Sequence, residues 1–156
     1  MNIDKSEEMR SHICRVFIRR GGNGQYISLF EDLDSEKKKE IISKVKLGKM
    51  EMPVVGGIFS NNHWILLTTD RLIWCSDMVE KSVKIDEMRN ASVNLLELKK
   101  MGQTKNQMTR LILKTCSGDE HSIEIEAGPP FSGLWNVLKS LGLKNQRQSN
   151  DQSPLP

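Results

Sequence analysis

The chain has 156 residues, 28% of them charged, with 23 Lys and Arg against 20 Asp and Glu for a net charge of +3. That length supports one domain whose core removes roughly 70% of the unfolded surface from water, so no covalent staples are needed. The small positive excess does not by itself argue for nucleic acid, and no apolar run approaches the ~20 residues of a membrane span.

The opening MNIDKSEEMR is acidic and polar where a secretory leader is basic and then apolar. Cys14, Cys75 and Cys116 are odd in number, far apart and without metal-ligand spacing, which is the pattern of reduced core thiols. A soluble, cytoplasmic protein is expected.

The first element reads as a helix. Asp4 and Glu7 have capping-box spacing, Met9, Ile13, Val16 and Phe17 recur at helical period, and Gly21-Gly22 ends the run. The following RRGGNGQY has the glycines of a small anion-binding nest. It lacks a preceding strand and a Lys-Ser/Thr pair, and reads as a flexible linker. A second helix is expected from Ser35 to Leu47, capped by Asp34 or Ser35 and stopped by Gly48. Its thin apolar face, Ile41, Ile42 and Val45, suits a helix lying on a surface.

After Gly48 the period falls from about 3.6 to 2. Seven strand-like segments follow, at 53–59, 63–69, 72–77, 81–86, 91–98, 108–116 and 120–127. In HSIEIEAG, Ile123 and Ile125 alternate with Glu124 and Glu126, so one face is buried and the other wet. VNLLEL changes parity between Leu95 and Leu96, which predicts a bulge or bend. In HWILLTTDRLIWCS, a two-residue loop at Thr69-Asp70 pairs positions summing to 139 and puts Trp64 and Trp74 on opposite faces. A three-residue loop over Thr68–Asp70 puts both on one face. Either way Thr and Asp serve the turn.

Gly128-Pro129-Pro130 then opens the strongest helix. Phe131, Leu134, Trp135, Leu138 and Leu141 form one apolar stripe, Gly142 reads as the stop, and residues 143–156 read as a flexible tail.

Within this order, WILLTTDRLIW resembles the apolar-Leu-Thr-x-x-Arg-Leu-Ile-aromatic pattern of bacterial pleckstrin-homology-like (PH-like) domains, through Leu67, Thr68, Arg71, Leu72, Ile73 and Trp74. The resemblance covers about residues 50–142. It implies an α+β, mainly β fold: a seven-stranded, partly open barrel capped by the C-terminal amphipathic helix. Three parts are then expected: a helical N-terminal extension over 1–48, the PH-like barrel with its helix over 50–142, and the tail.

No nucleophile, metal or phosphate-loop motif occurs around His12, His63 or His121, so a non-enzymatic module without cofactor or metal is expected. Lipid-binding PH domains hold headgroups with cations on the loop between the first two strands. Here no Lys or Arg lies between Met50 and Arg71. Recognition of a protein or peptide, through the barrel edge or the groove beside the last helix, is the leading expectation, with Trp64 as a partner-contact aromatic. The alternative is peripheral contact with anionic lipid or nucleic acid through Lys37, Lys38, Lys44, Lys46 and Lys49. Pairing of residues 1–47 with a second copy would give a homodimer.

Overall fold

The computed structural model describes residues 3–152. The chain runs α1 (Ile3–Arg20), β1 (Ser28–Leu29), α2 (Ser35–Lys44), β2 (Pro53–Ser60), β3 (His63–Thr68), β4 (Arg71–Ser76), β5 (Val79–Lys84), β6 (Met88–Ser92), α3 (Leu95–Lys100), β7 (Arg110–Thr115), β8 (Glu120–Glu124) and α4 (Pro129–Gln152). Two antiparallel sheets result, one ordered β1-β2-β3-β4-β5 and one ordered β6-β7-β8. Among the described residues the fold is therefore α+β with eight strands and a long final helix. The sheets do not close into a single hydrogen-bonded barrel, because β5 ends one sheet and β6 begins the next.

The β3–β4 hairpin follows the two-residue loop. Leu67 pairs with Leu72, Leu66 with Ile73, Ile65 with Trp74 and Trp64 with Cys75. Successive side chains on a strand face opposite ways, so the central sheet buries both faces. Ile65, Leu67, Leu72, Trp74 and Val83 join the main core with Met88, Ala91, Leu111, Leu113 and Ile123 of the second sheet. Trp64, Leu66, Ile73 and Cys75 instead meet Leu33, Ile41 and Val45 in a smaller cluster beneath α2.

α2 begins where Asp34 accepts the Lys37 amide at 2.8 Å, satisfying one of the orphan donors of the first turn. Ile41 is fully buried and Val45 nearly so, but Ile42 is 38% exposed and takes no part in the covering face. α1 packs along α4 and sends Ile13 and Phe17, both fully buried, into the main core. It begins at Ile3, so Asp4 lies inside its first turn rather than at the cap.

Two expectations are corrected here. Residues 91–98 are not one strand: β6 ends at Ser92 and α3 starts at Leu95, with Asn94 Oδ1 accepting the Glu97 amide at 3.1 Å. The parity change at Leu95-Leu96 marks a helix start, and the bulge lies earlier, between Met88 and Asn90. Gly142 does not stop α4, which continues to Gln152. A Cβ at Gly142 would lie 2.2 Å from the Arg89 carbonyl oxygen, so glycine is needed for the helix to approach β6. Residues 143–152, read as tail, are thus helical, and 153–156 lie outside the described residues.

Phe131, Leu134, Leu138 and Leu141 of the expected stripe are buried, joined by Val137. Trp135 sits at the core's edge, half-buried, its Nε1–H donating to the Ala91 carbonyl at 2.8 Å with Lys139 Nζ 4.9 Å above the ring.

Candidate functional site

Beside α4 lies a groove of about 720 Å³. One wall is built on Glu51, whose side chain is 3% exposed. Its Oε2 accepts from Arg71 Nε at 2.9 Å and Thr68 Oγ1 at 2.6 Å, and its Oε1 from the Gly48 amide at 2.9 Å. Thr68 Oγ1 also accepts the Asp70 and Arg71 amides, each at 3.0 Å, which shapes the turn. Arg71 reaches on to the Lys46 carbonyl at 2.8 Å. Burial works to raise the Glu51 carboxyl's pKa, but the hydrogen bonds from Arg71, Thr68 and Gly48 and the Arg71 charge outweigh it. The net shift is downward and the group stays ionised.

The opposite wall is α4, with Leu141, Lys144, Asn145 and Gln148. Asn145 Nδ2 donates to the Ile85 and Met88 carbonyls at 2.7 Å each, pinning the helix to the corner after β5. Lys84, Asp86, Asp70 and Lys46 complete the rim. Its charges are of both signs, and Met9 and Leu141 add apolar lining. This lining suits a polar chain with an apolar stem better than a uniformly charged polymer.

The five lysines of the alternative surface do not gather at one place. Lys37 and Lys38 are half-buried, with Lys38 Nζ 5.9 Å above the Phe30 ring. Lys44 donates to the Asn61 carbonyl at 3.3 Å. Lys46 joins the groove, and Lys49 is exposed on the connection to β2. Trp64, expected as a partner contact, is 4% exposed because α2 already covers it.

The RRGGNGQY segment forms an anion nest after all, and the anion is the chain's own. The Glu126 carboxylate accepts the amides of Gln25, Tyr26 and Ile27, the last two at 2.9 Å to Oε2. A Cβ on Gly24 would lie 2.6 Å from both carboxylate oxygens and 2.5 Å from Pro130 Cγ, so glycine lets the carboxylate close on these amides without a shift.

Each histidine joins elements. His12 Nε2 lies 2.6 Å from Ser140 Oγ, His63 Nε2 lies 3.2 Å from the Glu124 carbonyl, and the His121 ring meets Trp74 at 5.4 Å. Among the described residues, no group of three or more His, Cys, Asp or Glu is placed to hold a metal, and no helix is long and apolar enough to cross a membrane.

Of the groove's residues, Lys46 was singled out in the sequence, but for a different surface. Lys144, Asn145 and Gln148 fell in the stretch read as tail, and Glu51 carried no local signal. The chain matches no protein-family model and no curated protein.

Proposed function

We propose that this chain is a PH-like, non-enzymatic recognition module that holds a polypeptide segment in the groove beside α4. The observation that carries the reading is the groove itself, about 720 Å³ with Lys46 and Lys144 beside Asp70 and Asp86 on its rim. Clefts of roughly 300–1,000 Å³ accommodate small ligands or a few side chains of a peptide. A rim of mixed sign selects a partner by charge arrangement rather than by net charge. The resemblance of Leu67, Thr68, Arg71 and Leu72 to the PH-like pattern supports the same reading, since Arg71 lines the groove and Thr68 holds the Glu51 carboxylate that lines it beside Arg71. The dispersed lysines of residues 37–49 favour it over lipid or nucleic acid.

The test is selection from a phage-displayed peptide library on the full chain, followed by titration of the enriched peptide. The reading expects an acidic-residue-containing peptide whose affinity falls at least tenfold with Lys46→Glu/Lys144→Glu, at unchanged circular dichroism. It is overturned by peptides indifferent to that pair of changes. It is equally overturned if no peptide enriches while the chain co-sediments with phosphatidylserine vesicles and loses this with Lys44→Glu/Lys49→Glu.

A further inference from the structure

β5 ends its sheet, and among the described residues no strand pairs with its outer side. Ser82 and Val83 border a cleft of about 450 Å³ that separates this edge from the β7–β8 end, lined there by Thr115, Cys116 and Asp119. Along β5 every residue but Val83 is exposed, so the second sheet does not cover this edge.

Which backbone groups face outward follows from the β4–β5 turn. Asp77 and Met78 have φ of 51° and 68°, the two positive angles of a two-residue type I′ turn. Such a turn is closed by a hydrogen-bonded pair, here Ser76 with Val79. Hydrogen-bonded pairs alternate along the ladder, so Val79, Lys81 and Val83 spend their amides and carbonyls on β4. Glu80, Ser82 and Lys84 present theirs to the open side.

We propose that the occupant of this edge is a second copy of the chain, its β5 pairing antiparallel about a two-fold axis at Ser82. Two-fold pairing opposes each residue to a partner residue at a fixed sum of positions. A sum of about 164 is selected by the charges. It sets Glu80 opposite the partner's Lys84 twice, Ser82 opposite the partner's Ser82, and Lys81 opposite the partner's Val83.

The neighbouring registers each oppose like charges. An axis at Glu80 or Lys84 faces that residue with its own copy, and an axis at Lys81 does the same. An axis at Val83 puts Glu80 against the partner's Asp86. In the selected register Glu80, Ser82 and Lys84 carry both the outward hydrogen-bonding groups and the complementary charges, and about six backbone hydrogen bonds join the two central sheets into one. Val79, 54% exposed, comes opposite the partner's Ile85.

Sedimentation velocity of the full chain over a concentration series tests this. The expected result is a monomer of 17.8 kDa converting reversibly to a dimer as concentration rises. Ser82→Pro removes an outward amide that β4 does not use, and is expected to leave a folded monomer with unchanged thermal midpoint. Lys84→Glu is expected to weaken the dimer at least tenfold, and Glu80→Lys/Lys84→Glu to restore it. A chain that stays monomeric up to about 1 mM, a limit above ordinary weak-dimer affinities, overturns the proposal. So does a dimer that survives Ser82→Pro, or a charge swap that fails to rescue.

Discussion

Glu51 shows how one side chain sets a corner of the fold. Its carboxylate is buried, and Arg71, Thr68 and the Gly48 amide surround it. Removing Arg71 leaves that charge without its main partner, so Arg71→Ala should cost about 3 kcal/mol in urea denaturation, the low end for buried pairs because Arg71 is 29% exposed. The Glu51 pKa is lowered in the fold, so its contribution is complete above the ordinary value of about 4.5 and is lost as pH falls through the folded value. Denaturation midpoints measured between neutral pH and strongly acidic pH should drop less steeply for Glu51→Gln than for the wild type. Glu126 is the second such residue. Replacing it with Ala strips three amides of their acceptor and should cost about 2 kcal/mol, the scale of hydrogen bonds to a charged group, with Gly24 to Ile27 losing amide-exchange protection first. Neither role was legible in the sequence. The side-chain partners of Glu51 lie 17 and 20 positions away and the amides held by Glu126 about a hundred, and no period connects them.

At the level of elements, what could be read was what local chemistry decides. Asp34, one of two cap candidates, starts α2, and of the two loops left open for the hairpin the two-residue loop at Thr69-Asp70 sets its register. Asn94 was passed over inside a segment read as strand, and Gly142 was misread as a stop, because each residue type has two uses. An Asn can cap a helix or sit in a loop, and a Gly can end a helix or admit a neighbouring backbone. The α1–α4 pair carries a pH response. Burial first, then the charges of Lys144 and Arg15, lower the pKa of His12, whose Nε2 meets Ser140. A lowered histidine stabilises the fold above its unfolded pKa of about 6.5, and that contribution is lost as pH falls through the folded value. Hydrogen exchange at mildly acidic pH should therefore show α1 opening before β3 and β4. His12→Gln, which keeps a hydrogen-bonding group without the titration, should hold α1 protection constant over the same range.

For the whole molecule, Leu66 and Leu67 are adjacent in β3, yet one faces the α2 cluster and the other the main core. Loss of either layer exposes a face of the same strand, so the two layers should unfold together. Ile41→Ala, at a fully buried site under α2, should cost about 2–5 kcal/mol. Its transitions by tryptophan fluorescence and by far-ultraviolet circular dichroism should stay coincident. Separate transitions would show that α2 is an independent lid.

The pairing of α1 with α4 also bears on how the chain is made. His12 meets Ser140, and Glu126 closes on the segment at 25–27. During synthesis the β3–β4 hairpin can form as soon as it clears the ribosome, while α1 waits for its main packing partner until residue 140 has been made. Until then the side chains of Ile13 and Phe17 lack α4, so the first helix is among the last elements to gain its full packing surface.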